Sequence, residues 1–219
     1  MNNKRKLFIF IGPPGSGKGT QAELLTRKYK VKYFSVGEIL RAEVQNKTKL
    51  GKQVDSYMKV GQLAPDDIIC EIMFNKLKRT RNNVIFDGFP RNVDQAVSLD
   101  MELDKQKVER IVFEITLPTK KIVDRIMGRR YCICGKTYHI KNNPPKQKNI
   151  CDKCGRCLKT RADAKSDVIK KRQEIYLKQT AKVIHFYKTD GGYKINIIDG
   201  DRPINVIHEE LIKIISKLK

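Results

Sequence analysis

The sequence predicts an α/β fold, a parallel five-stranded sheet with helices on both faces, on three observations. Five short apolar runs alternate with helically patterned stretches, which implies parallel strands joined by crossover helices. The first run ends in a glycine-rich turn, GPPGSGKGT (12–20), that opens into a helix. A polar stretch at 129–164 then interrupts the alternation as an insertion, and it holds five of the chain's six cysteines.

KLFIFI (6–11) is a continuous apolar run bounded by a Gly/Pro turn, the pattern of a strand buried on both faces. Basic residues precede it, as in a secretory signal, but Leu7 to Ile11 is shorter than the roughly 7–15 residues of a signal core and no small-residue cleavage site follows. The run therefore reads as a first strand, and the chain as cytosolic. GTQAELLTRKY has helical spacing. KYFSV (32–36), NVIFDGF (83–89), RIVFEITL (110–117) and KINIID (194–199) are the other strands, and 66–80, 92–105, 119–128 and 167–189 are helical. No apolar run approaches the roughly 20 residues that span a bilayer, and there is no internal repeat. A chain of 219 residues can bury its own core, which predicts a monomer.

Lysine and arginine number 46 against 24 acidic residues, a net charge of +22. Such an excess suits a polyanion: nucleic acid, a membrane surface or a phosphorylated substrate. The lysines are scattered rather than gathered on one helix or tail, so a lysine-rich surface composition accounts for most of the excess. Neither nucleic acid nor a membrane is expected as the primary partner.

The turn at 12–20 has the chemistry of a phosphate loop. Its backbone amides can cradle phosphate oxygens, the following helix N-terminus adds favourable partial charge, and Lys18 can reach the β- and γ-phosphates. The usual G-x-x-x-x-G-K-[ST] pattern is met through Lys18, but Gly19 intervenes before the hydroxyl of Thr20. Phosphoryl transfer depends on positioning and charge neutralisation, so it calls for convergent cations and a metal. Asp87 ends an apolar strand where a carboxylate can hold Mg²⁺, or else cap the next turn. Arg41, Arg91, Arg129, Arg161 and Arg172 stand beside turns or at element ends with the planar fork that suits phosphate. Each alone would pass for a solvated surface arginine.

With its Lys18-Gly19-Thr20 ending, the loop resembles that of the nucleoside monophosphate kinases. SVGEILR (35–41), DGFPRNVDQA (87–96), VDRIMGRR (123–130) and TRADAKSDVIKKR (160–172) continue the resemblance in order. Together they look like adenylate kinase with a zinc-binding lid. The resemblance implies a P-loop core (1–34, 65–127 and 165–219), a helical AMP-binding insertion (35–64) and a small zinc-ribbon-like lid (128–164). It also implies the reaction Mg·ATP + AMP ⇌ 2 ADP.

Carried over residue by residue, Gly15, Ser16, Gly17, Lys18, Gly19 and Thr20 would hold the ATP phosphates. Arg125 would stack on the ATP adenine with help from Thr137 and Tyr138, and Arg202 would lie near that base. Arg41 and Arg91 would clamp the AMP phosphate and Gln95 would read the adenine edge, with Val36, Gln62, Ala64 and Gly88 completing the AMP site. Lys18, Asp87, Arg129, Arg161 and Arg172 would surround the transferring group, and no protein base is needed because the attacking phosphate oxygen is already an anion. Two departures stand out. Val36-Gly37-Glu38 replaces the family's usual Thr-Gly-Asp, and Asp163 is followed by Ala164 where the family has a second aspartate. The former leaves a UMP/CMP kinase as the first alternative, ahead of a nucleic-acid-binding zinc protein that the charge and the cysteines would suit but the phosphate loop and DGFPR would not.

Clustered cysteines in a reducing compartment point to metal rather than disulfides. Cys151-Asp152-Lys153-Cys154-Gly155 is a C-x₂-C-G knuckle, and Cys132-Ile133-Cys134-Gly135 is a tighter upstream counterpart with a single intervening residue. Cys132, Cys134, Cys151 and Cys154 are the expected ligands of a structural Zn²⁺, with Cys157 or His139 as substitutes. Cys70 reads as core.

Overall fold

The structure, a computed structural model, describes residues 4–160 and 164–217. Its main sheet contains β1 (Lys6–Ile11), β2 (Val31–Ser35), β3 (Asn83–Asp87), β4 (Glu109–Thr116) and the last strand, β7 (Ile195–Asp199). A separate hairpin of β5 (Arg129–Tyr131) and β6 (Thr137–His139) belongs to the cysteine-rich segment. The main sheet runs β2-β3-β1-β4-β7 and every neighbouring pair is parallel. Each expected strand is present within two residues of its sequence bounds. β1, β3 and β4 are buried along most of their length and leave a continuous apolar signature, whereas the edge strands β2 and β7 keep exposed positions at Lys32 and Ile197.

Alternation along β1 divides the core into two layers. Leu7, Ile9 and Ile11 join Val84, Phe86 and Val112 against buried residues of α4 (Asp66–Lys78), α5 (Val93–Lys105) and α8 (Ala181–Thr189). Phe8 and Phe10 face the other way, with Phe113, Ile85 and Ile198, against α1 (Lys18–Lys28) and α9 (Ile204–Ser216). The ring of Phe113 meets Phe10 edge-on with centroids 5.4 Å apart. Two short helices, α2 (Val36–Gln45) and α3 (Lys49–Lys59), fill the segment between β2 and α4, burying Val36, Leu40 and Val54. Among the described residues no helix is long and apolar enough to cross a membrane.

The structure differs from the sequence reading at two helices. The stretch 167–189 is not one regular helix: α7 (Ser166–Ile175) passes through a π-helical turn at Tyr176–Thr180 before α8 resumes. Such wide turns recur at functional sites, and this one lets the Thr180 hydroxyl donate to the Arg91 carbonyl at 2.8 Å. The helix α9 was not anticipated, although Ile207, Leu211 and Ile215 recur at the four-residue spacing of a buried face.

Candidate active site

The site lies at the carboxyl ends of the strands, where open α/β sheets place their ligands. The loop after β1 turns through glycines with left-handed φ at Gly15 and Gly17 and delivers Lys18 as the first residue of α1. The Lys18 ammonium folds back on the loop, donating to the carbonyls of Gly12 (2.8 Å) and Pro13 (2.9 Å). Burial lowers its pKa from 10.5 to about 8; Asp87 opposes the shift, while Arg129, Arg91 and Arg172 add to it.

Asp87 closes β3 beside Phe10 of β1, so the parallel register brings its carboxylate to the phosphate loop. Tyr33, on the opposite side of β3, donates its hydroxyl to Asp87 Oδ2 at 3.0 Å. The extra glycine of the loop motif has a reason here. A Cβ on Gly19 would stand 3.1 Å from the Tyr33 hydroxyl and 3.4 Å from Asp87 Oδ2, so the smallest residue keeps this corner open.

Two adjoining cavities share Arg41, Arg91 and Arg172 in their walls. The larger is lined by Gly15, Gly17, Lys18, Gly19, Thr20, Asp87, Gly88, Arg129 and Thr137, so the phosphate loop, β3 and the lid hairpin converge on it. Ser16 is buried within the loop itself. Val36, Gln62, Ala64 and Gln95 line the smaller cavity. Arg91 Nε donates to the Gly88 carbonyl at 2.9 Å, and a Cβ on Gly88 would come within 2.9 Å of the guanidinium. Burial and then the neighbouring Arg172 bring Arg91 down to about 10, with Asp87 opposing; it remains a cation at neutral pH, in surroundings that favour an added anion.

Gln95 is buried at the back of the smaller cavity and both ends of its amide are held. Its Oε1 accepts the Arg91 backbone N–H at 2.8 Å, and its Nε2 donates to Asp66 Oδ1 at 2.6 Å. Asn92 Nδ2 donates to the other oxygen of Asp66 at 2.7 Å, and Asn92 Oδ1 caps α5 by accepting the Gln95 N–H.

In the lid, the sulfurs of Cys132, Cys134, Cys151 and Cys154 all lie within 4.8 Å of one another. The knuckles differ by one residue yet close alike. Gly135 N–H donates to the Cys132 carbonyl at 2.9 Å, Gly155 N–H to the Cys151 carbonyl at 2.8 Å, and both glycines have positive φ. The short knuckle thus reaches the cluster by a turn one residue tighter. Burial opposes ionisation of Cys151, but hydrogen bonds from the Tyr138 hydroxyl and the Lys153 and Cys154 backbone bring its thiol down to about 6. Cys157 is exposed outside the cluster. His139 turns its ring toward Gly128, its Nδ1 accepting the Lys141 and Asn142 N–H groups at 3.1 Å.

Three residues expected near the ATP base face other partners. Arg125 donates to the Gly200 carbonyl at 2.7 Å and pairs with Asp201, while Arg202 pairs with Glu210 and Asp199. The Tyr138 side chain packs among the cysteines, and its oxygen also accepts the Asp152 N–H at 2.8 Å. Arg161 and Asp163 lie outside the described residues, whereas Ala164 packs on the apolar cluster of Leu117, Ile122, Ile126 and Ile169. Sequence reasoning missed Tyr33, Asp66 and Thr180, whose partners are 54, 29 and 89 residues away.

A family model described as adenylate kinase matches residues 10–192. Curated adenylate kinases are similar over nearly the whole chain. That of Methanothrix thermoacetophila is 43% identical, covering 97% of this chain and 99% of its own. Those of Thermococcus kodakarensis (40% identical, 93% of this chain and 91% of its own) and Methanosarcina acetivorans (41%, 96% and 98%) agree. With a five-stranded parallel sheet, a phosphate loop and relatives matched from end to end, the chain belongs to the adenylate kinase family of phosphotransferases, whose reaction is ATP + AMP ⇌ 2 ADP.

Proposed function

We propose that the larger cavity takes the ATP phosphates, the smaller takes AMP, and phosphoryl transfer occurs at the arginines between them. The observation that carries this reading is the shared wall of Arg41, Arg91 and Arg172, with Lys18 and Asp87 on one side and Gln95 on the other. Lys18 leaves its carbonyl partners for the ATP phosphates, and Arg41 and Arg91 grip the AMP phosphate. Arg129 brings lid charge to the transferring group, and Arg172 brings charge from α7. The AMP oxygen attacks as an anion, so the side chains supply alignment and charge rather than a base. Arg161 keeps the role its resemblance implies.

The residues at the loop fit Mg²⁺, since Asp87 and Thr20 both line the larger cavity, offering a carboxylate and a hydroxyl, and Tyr33 holds one oxygen of that carboxylate. Bound with ATP, the cation would neutralise phosphate charge. The cysteine cluster fits Zn²⁺. Four thiolates around zinc at about 2.3 Å form a tetrahedron with edges of about 3.8 Å, and these sulfurs approach at 3.3 Å for Cys132–Cys154 and 3.6 Å for Cys134–Cys151. Four sulfur ligands leave no open position, so the zinc is structural and holds the lid together.

The division into core, AMP-binding insertion and lid is part of this proposal, as are a monomeric state and a cytoplasmic setting, which suits an unpaired set of thiols. A coupled assay across nucleoside monophosphates tests the reading. AMP is expected to exceed UMP and CMP by at least ~10-fold in kcat/KM, because mismatched buried polar groups and unfilled volume both cost binding. Equal or better turnover of UMP would overturn the AMP site.

A further inference from the structure

We propose that Asp66 is a specificity-determining residue, acting through Gln95 by fixing which way the Gln95 amide faces the acceptor base. The proposal rests on the reading above that Gln95 meets the base of the monophosphate. A glutamine amide is nearly symmetric in shape but not in chemistry: rotated by half a turn, it exchanges an acceptor for a pair of donors. A free glutamine at this position could therefore match either kind of base edge.

Here the rotation is blocked from both sides. Asp66 offers only acceptors, so the atom 2.6 Å from its Oδ1 has to be the Gln95 nitrogen. The Arg91 backbone N–H only donates, so the atom 2.8 Å from it has to be the Gln95 oxygen. Turning the amide over would set carbonyl against carboxylate and N–H against N–H, losing two part-buried hydrogen bonds at once. The Asn92 amide pins the second Asp66 oxygen at 2.7 Å, so the carboxylate cannot swing to accommodate the flipped form.

Each end of the held amide keeps one further hydrogen-bonding position, an acceptor on Oε1 and a donor on Nε2. That pair matches adenine, whose edge donates from its 6-amino group and accepts at N1. Guanine presents the opposite order, a 6-oxo acceptor and an N1–H donor, and uracil likewise. Cytosine repeats the adenine order, so its exclusion falls to the size of the cavity rather than to the amide. The lock thus separates AMP from GMP, two purine nucleotides that the volume of the cavity separates less well.

The test is the ratio of kcat/KM for AMP to that for GMP, measured on one enzyme preparation so that any loss of folded protein cancels. Asp66→Asn keeps the size of the side chain but can turn a donor toward Gln95 and so permit the flip. Its AMP:GMP ratio is expected to fall about tenfold or more. Asp66→Ala, which removes the clamp and offers no donor, should also lower the ratio. Asp67→Asn, one residue on and exposed, should leave it unchanged. If Asp66 only supports the start of α4, both substrates lose efficiency together and the ratio holds, which overturns the proposal. Gln95→Ala separates the two failures. If it leaves the ratio intact, Gln95 does not read the base and the reading beneath the proposal falls. If it collapses the ratio while both Asp66 variants preserve it, only the lock falls.

Discussion

The sheet core and the lid hold their shapes by different physics. Around β1 and β4, apolar side chains fill two layers, and Leu7, Ile9, Val112, Phe113 and Ile115 are fully buried. In the lid the buried cluster consists of Cys132, Tyr138 and Cys151, with Cys134 and Leu158 beside it. Apolar burial is worth about 25 cal/mol per Å², so the core can hold itself together, while so small a cluster needs a cross-link. The division also suits the chemistry. Lys18 and Asp87 stand on α1 and β3 of the sheet core, whereas Arg129 arrives on the first strand of the lid hairpin. A Lys136–Glu23 ion pair at 3.7 Å ties that hairpin to α1. Being part-exposed, it is a weak tie that can break and re-form.

The largest effect should come from the core. Phe113→Ala is expected to destabilise the protein by about 3–5 kcal/mol, because it empties a space lined by Phe8, Phe10 and the helices behind them. Denaturant unfolding monitored with and without a zinc chelator checks this. The loss should be the same in both, and a loss that vanished with zinc removed would show that the two regions are not independent.

Removing a cleft cation should do the opposite, sparing the fold and stopping the reaction. Arg91→Ala is expected to lower kcat/KM by at least ~10²-fold, while unfolding stays cooperative. Near-normal turnover in that variant would show that the arginines between the cavities do not handle phosphate.

A smaller effect is the pH dependence of binding. The Lys18 pKa is lowered to about 8 by burial, and phosphate favours its charged form. Binding therefore takes up a proton above about pH 8, and affinity for Mg·ATP should weaken by up to about tenfold per pH unit there. The sign for stability is reversed. Between about pH 8 and the ordinary lysine range the unfolded chain binds more protons, so with no nucleotide added this residue makes the protein more stable as pH rises. Calorimetric titration in buffers of different ionisation enthalpy measures the proton uptake, and a flat affinity from pH 7 to 9.5 would remove Lys18 from the account.

What could be read from the chain follows the same contrast. β1, β3 and β4 were legible because double-sided burial writes nearly unbroken apolar runs, the edge strands β2 and β7 by their β-branched and aromatic residues despite exposed positions, and the cysteine quartet because both knuckles are local. Tyr33, Asp66 and Thr180 were not, since the sheet register, the start of α4 and the π turn bring them to Asp87, Gln95 and Arg91. Arg125 and Arg202 were legible as cations but not as cations held by Asp201 and Glu210, because pairing of that kind depends on how the loop after β7 packs. The π turn itself left no mark in a stretch whose helical pattern runs on unbroken.

Hydrogen exchange on the full chain, with zinc present and after chelation, tests the division between packed core and stapled lid most directly. About one zinc per chain is expected, lost in Cys154→Ser and kept in Cys157→Ser, since Cys157 stands outside the cluster. On chelation, peptides from 129–160 should lose protection while those from β1, β3 and β4 keep theirs. Unchanged lid protection without zinc, or loss of protection spread evenly through the sheet, would contradict it.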